Sequence, residues 1–350
     1  MNKKIRFFLF MVFLLVILVF FGSGIDKEMV YRPVWTIDWE SGPIRQDEGA
    51  LLLPYVRDDI LGYFDSEGGI YYREKILHGA AVHSTGFINY SRLSDTLVFR
   101  NTGGEIVESL DLRGYPFFIK DRLLVFSGNG RRIGEYTLRG EEIWSRSFGS
   151  LITSLAEGEG CLFVGLINGS LVLLSDEGKE IYTTQPVGSR IQAIYGCAMT
   201  PGAEKLAVVS GLDPQTLLFF ERRNDTYKME EMFRFPEPVR HSVFMAFSED
   251  GRYLVTASDS RTFLYSFEEG ALRDFGKGEM LKGVSLEAEG SLSVFLMERK
   301  EDHRCIVMDL EGSFRDDIAF PEELNFLMRN ENTLFTGFGK KLVRVDLEAR

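Results

Sequence analysis

From Ala50 to the C-terminus, apolar runs rich in Val, Ile, Leu, Phe and Tyr alternate with short polar turns. Each run is strand length, about five to seven residues. Ala50–Arg57 is followed by Ile60–Glu74, and the same layout recurs over Cys161–Thr184 and Arg252–Phe275. In each unit a second turn, acidic or polar and usually carrying Gly, falls near Gly68, Gly104, Gly140, Gly178, Asn224, Gly270, Gly312 and finally Glu348. The spacings are 36, 36, 38, 46, 46, 42 and 36 residues. Helical repeats of similar period would need room for paired helices, and turn signals every 8–12 residues or so leave none.

A period near 40 with about four strands per unit predicts an all-β fold, a β-propeller of four-stranded antiparallel blades. Eight turn landmarks predict eight blades. Seven is the alternative if the irregular stretch 213–240 is a long insertion. The last unit supplies three strands, Leu324–Arg329, Thr333–Phe338 and Lys341–Leu347, and lacks a fourth, while Val34–Glu40 is an orphan strand ahead of the first unit. Pairing the two would close the ring, which otherwise leaves an open edge.

The first residues follow a different pattern. Lys3, Lys4 and Arg6 precede an unbroken apolar run, Phe7–Phe21, and Gly22–Ile25 extends it without a charge. A basic end followed by a stretch near the ~20 residues that span a bilayer predicts a signal-anchor helix over residues 1–25, with the domain 26–350 outside the cytoplasm. Gly22-Ser23-Gly24 is a poor cleavage site, and no cysteine follows closely enough for lipid attachment. The expected location is a bacterial cell membrane, single-pass, with the propeller in the periplasm or extracytoplasmic space. The N-x-[ST] triplets at Asn89, Asn168 and Asn224 are then incidental.

The segments Asp176-Glu-Gly-Lys-Glu-Ile and Leu138-Arg-Gly-Glu-Glu-Ile-Trp144 each match in part the D-x-x-G-x-x-x-W turn of quinoprotein-like propeller repeats, and Ser248–Ser258 is similar to the strand entry of WD40-like repeats. The resemblance covers about residues 34–350 and is specific to fold. No Trp-Asp dipeptide or Gly-His signature occurs, a departure from the strict WD40 pattern. The chain also resembles the propeller subunit of outer-membrane protein assembly machinery, without that family's lipid-bearing cysteine. Kinship with quinoprotein dehydrogenases would imply a calcium-held quinone beside an adjacent Cys-Cys disulfide. Cys161, Cys197 and Cys305 are far apart, and Trp35, Trp39 and Trp144 are few for sandwiching a cofactor.

Composition narrows the partners. The net charge is −12, and the three basic residues of the leader contribute the only charges before residue 25, so the remainder is more acidic still. Such a surface repels nucleic acid and anionic lipid. The odd cysteine count precludes a fully paired disulfide framework and favours small buried apolar residues. His78 and His83 are too loosely spaced to predict a metal site, and His241 and His303 are isolated. Neither a local calcium loop nor a nucleophile or phosphate motif is found.

These readings predict a membrane-anchored, non-enzymatic scaffold that binds unidentified protein partners, with a role in envelope assembly, and with no cofactor, metal or nucleic acid. A channel-site enzyme, quinoprotein or glycan-acting, is the alternative. The candidate contact surface is the polar excursion carrying Asp213, Gln215, Glu221, Arg222, Arg223 and Asp225.

Overall fold

The structure is a computed structural model, and it describes residues 29–45, 51–92, 94–224, 226–235, 238–287, 292–299, 302–312, 315–320 and 322–349. The leader expected as an anchor helix and Asp225 lie outside these. Every assigned element is a β-strand, and the strands sort into eight antiparallel sheets set as the blades of one propeller. Seven sheets have four strands and one has three. The first strands of the four-stranded blades lie innermost, and those of blades 2 and 3, 4 and 5, 5 and 6, and 7 and 8 contact each other.

Ring closure follows the predicted logic with shifted bounds. Met29–Asp38 pairs antiparallel with Lys341–Ala349 and becomes the outermost, fourth strand of the last blade. The orphan strand therefore starts five residues before Val34 and ends two before Glu40. Irregular stretch 213–240 is no insertion: Thr216–Arg223 and Thr226–Arg234 form one long hairpin, the third and fourth strands of blade 5. Its outer strand reads as polar because five of its central residues face solvent.

Blade 1 departs from the pattern. Its three strands are Leu52–Arg57, Ile60–Asp65 and Ile70–Lys75. A bulge at Tyr63/Phe64 matches bulges at Phe99/Arg100, Glu135/Tyr136, Leu173/Leu174 and Phe219/Phe220, which all lie between third and fourth strands. Blade 1 thus has the second, third and fourth strands. Among the described residues no strand fills its first place.

Eight apolar clusters hold the ring, one at each junction between blades. A strand buried on both faces explains the continuous apolar runs, since alternate side chains enter different junctions. In Cys161–Leu166, Leu162 and Val164 pack toward blade 3, whereas Cys161 and Phe163 pack toward blade 5. The smallest of the eight, with Leu61, Tyr63 and Phe87 fully buried, joins blades 1 and 2. All three cysteines are buried and free, and burial pushes the Cys197 and Cys305 thiols up to about 12.

A second device repeats across junctions. The turns at Gly68, Gly104, Gly140 and Gly178 each place glycine at φ between +72° and +84°. Added Cβ atoms there would meet Trp35, Tyr72, Leu110 and Trp144 respectively, each from the outermost strand of the preceding blade. Glycine therefore serves twice, for its backbone conformation and for the close approach of a large neighbour. Trp35 also donates its indole N–H to the Ser66 carbonyl at 2.9 Å. Trp144 donates to Glu135 at 2.8 Å, and Glu135 in turn accepts from Arg122 at 2.6 Å. Arg122 reaches on to Asp176 in blade 4 at 3.2 Å. The tryptophan of the sequence motif is thus a clasp between blades.

Three outcomes are expected. Deleting residues 29–38 removes the fourth strand of blade 8 together with Trp35, and calorimetry should show a lower and broader unfolding transition. An unchanged cooperative melt would contradict closure by this strand. Glu135→Ala strands the Trp144 N–H and leaves the Arg122 guanidinium to Asp176 and Glu157, and denaturant titration should show a loss of about 1–2 kcal/mol. Burial raises the Tyr55 and Tyr227 phenols to about 12. In the unfolded chain they ionise near ~10, so the folded state keeps protons that the unfolded state has lost. Stability should fall as pH rises from about 10 toward 12, measured as a lower denaturant midpoint at each higher pH.

Candidate docking face

Antiparallel blades put their turns on two faces. Turns from first to second and from third to fourth strands share one face. Turns from second to third strands, and the links from each blade to the next, share the other. Among the described residues, the turns of the first face carry fifteen Asp and Glu against four Lys and Arg. From Asp58 onward, the turns and links of the second carry nine acidic residues against eight basic ones. The chain's acidity is therefore concentrated on one side of the disc.

Apolar side chains are exposed at both ends of the blades, with Leu51, Ile106, Leu138, Ile143 and Ile181 toward the acidic face. Leu77 (70%), Leu151, Ile167, Val187 (82%), Ile191 and Phe244 all stand exposed in links or strand entries of the balanced face. Most of these surround blades 4 to 6. The Ile167 N–H donates to the Leu151 carbonyl at 2.9 Å within blade 4, and the Val243 N–H donates to the Tyr195 carbonyl at 2.8 Å, which fixes the entry of blade 6 to blade 5. Between them lies a hollow of about 320 Å³, lined by Thr153, Ile167, Ile194 and Tyr195 with Arg240 and His241 on its edge. His241 is held by Asp259 at 2.7 Å. An apolar floor with a cationic edge suits a protein segment that presents an aliphatic side chain beside a carboxylate.

The sequence-predicted contact residues do not form one surface. Asp213 and Gln215 sit between the second and third strands of blade 5, on the balanced face. Glu221, Arg222 and Arg223 sit at the other end of the hairpin, on the acidic face. Gln215 is 1% exposed, and its side chain is bonded to the backbone of Val239 in both directions, so it pins the link to blade 6. Asp213 pairs with Arg190 at 3.1 Å, and Arg223 pairs with Glu221 at 2.6 Å. The aliphatic residues around the hollow were missed because, by sequence alone, an apolar residue at a strand entry looks like core.

The residues present do not fit a calcium-held quinone. Trp35 and Trp144 are clasps, and Trp39 is buried with its ring stacked on Tyr55. Cys161 contacts Met199 and Cys197 contacts Ser154, and no two cysteines are adjacent in sequence. Among the described residues no group of three or more His, Cys, Asp or Glu is placed to hold a metal ion.

Known proteins resemble the chain along three quarters or more of its length. An uncharacterized protein of Treponema pallidum (strain Nichols) is 19% identical over 357 residues, covering 99% of this chain and 95% of that one. Among solved structures, BamB from Moraxella catarrhalis is similar with a TM-score of 0.61 at 14% identity, covering 91% of this chain and 100% of that one. The dihydro-heme d1 dehydrogenase NirN gives 0.55 at 16% identity, covering 75% of this chain and 60% of that one. At such identities the likeness to solved structures is one of fold, and it spans a protein named as an enzyme and one that is not. The model of the beta-propeller protein family matches residues 1–349, and the chain belongs to that family.

Proposed function

We propose that the protein is a membrane-tethered, extracytoplasmic propeller that docks partner proteins without catalysing a reaction, in the assembly of the cell envelope. The observation that carries this reading is the contrast between the two faces. One is strongly acidic, and the other is nearly charge-balanced, with Leu151, Ile167, Val187, Ile191 and Phe244 exposed about a hollow over blades 4 to 6. Exposed apolar groups rimmed by polar ones mark protein interaction surfaces. A rigid disc of blades also holds many loops in fixed relation, which suits recognition of a folded partner. The apolar run after Lys3, Lys4 and Arg6 supports the tether, and the likeness to propellers of outer-membrane assembly machinery supports the envelope role. The docking site in this reading is the hollow over blades 4 to 6, in place of the stretch Asp213–Asp225.

Crosslinking from membranes with the intact leader tests it. Ile167→Asp and Phe244→Asp put charge at exposed positions and should leave the melting temperature unchanged. Each should weaken capture of the crosslinked partner at least tenfold, about 1.4 kcal/mol. Reversing charge on the other face with Glu268→Lys and Glu269→Lys should leave capture intact. Undiminished capture by both Asp variants would rule out this hollow as the docking site.

A further inference from the structure

A second concavity opens on the balanced face, at the junction of blades 2 and 3. It holds about 370 Å³, and Arg92, Ser94, Asp95, Arg113, Tyr115 and Gly128 stand in its wall. The first three come from the turn between the second and third strands of blade 2, Gly86–Tyr90 and Leu97–Asn101. Arg113 belongs to the link into blade 3, and Tyr115 opens that blade's first strand, Tyr115–Ile119. Gly128 lies in the second-to-third turn of blade 3. A Cβ added to Gly128 would meet no heavy atom within 4 Å, so the lack of a side chain there helps keep the space open.

The charges of this wall do not cancel. Arg113 pairs with Asp95 at 2.8 Å, whereas Arg92 makes no ion pair or side-chain hydrogen bond among the described residues. Two arginines against one aspartate leave a single positive charge at this spot, in a chain whose net charge is −12. A guanidinium presents its N–H groups as a planar fork that fits both oxygens of a carboxylate at once. Beside it stands an aromatic surface. The Tyr115 ring is braced edge-on by Tyr90, with centroids 6.2 Å apart, and His78 lies against both rings at 6.1 and 6.3 Å. Such a ring offers flat apolar area to the body of a ligand, and the Ser94 hydroxyl adds a neutral donor.

We infer that this hollow is a second binding site, which takes a single carboxylate carried on an aliphatic or ring-shaped body. The carboxylate sits on Arg92 and the body lies along Tyr115. One negative charge matches the surplus, whereas a dianion such as phosphate would set its second charge against Asp95. An acidic side chain of a peptide and a small free carboxylic acid share this chemistry. The site is separate from the hollow over blades 4 to 6, and it depends on neither the docking role nor the tether proposed above.

Arginine footprinting of the full-length chain in neutral detergent reads the site directly. Phenylglyoxal modifies exposed guanidinium groups, and mass spectrometry follows each one. Saturating cyclohexanecarboxylate should slow modification of Arg92 several-fold and leave Arg139, exposed on the acidic face, unaffected. Protection by a capped peptide of alternating Glu and Leu as well would make acidic peptides a source of the ligand, and protection by the free acid alone would assign the site to small acids. In calorimetric titrations Arg92→Gln and the hollow-filling Gly128→Leu should each weaken binding of the same acid about tenfold, with unchanged melting temperatures. Ile167→Asp, in the other hollow, should leave that binding as it was. Equal protection of Arg92 by inorganic phosphate would overturn the carboxylate assignment, and protection by none of the three probes would remove the site. Binding lost in Ile167→Asp but kept in Arg92→Gln would place the acid in the other hollow and overturn the assignment too.

Discussion

Closure of the ring by one antiparallel pair, Met29–Asp38 on Lys341–Ala349, is the constraint from which the rest follows. A propeller has no single core, and its apolar surface is buried at junctions between blades. Each of those junctions needs a neighbour on both sides. Opening the circle at blade 8 would expose edges of the clusters built on Phe64, Trp39 and Phe335, and loosen Trp35 from the turn it covers in blade 1. Blade 8 is therefore completed by residues from both ends of the chain, and its integrity is shared by all the others.

The clasps show how a short sequence motif does structural work at a distance. A glycine at positive φ makes a flat turn, and an aromatic or leucine side chain from the previous blade rests on it. Trp35, Tyr72, Leu110 and Trp144 occupy equivalent places while differing in size and polarity. Glu135 adds specificity at one junction by serving both the Trp144 indole and the Arg122 guanidinium. Partial matches to the family motif are tolerated because the geometry asks for a large side chain and not for one residue type.

Much of this fold was legible in the sequence, and the legible parts share a physical basis. The turns set a ruler because each holds a residue at positive φ, glycine at six of them and Asn224 at the seventh, and every landmark from Gly68 to Gly312 falls on a third-to-fourth turn. The orphan strand was visible because the final unit had one strand too few. What could not be read was that blade 1 has only three strands among the described residues, since those three carry the same apolar runs as complete units. The hairpin Thr216–Arg234 was mistaken for an irregular excursion because an outermost strand with solvent on one side has a polar sequence. The asymmetry of the two faces was also hidden. It emerges only when the turns are sorted by the direction of the strands they join, and charges that look scattered along the chain then gather on one side.

Closure also has a consequence in time. Met29 and Ala349 lie at opposite ends of the described chain yet form one pair of partners, the longest separation of any strand pairing in the molecule. Met29–Asp38 is the first of these strands to be made and must wait for the last before it has a ladder to join. Loop closure over so many residues is entropically slow, and an unpaired strand edge is prone to join the wrong neighbour meanwhile. The circle that makes the finished disc robust thus leaves the nascent chain with a long interval of vulnerability, in which a holdase or delayed compaction would matter more than the stability of any blade.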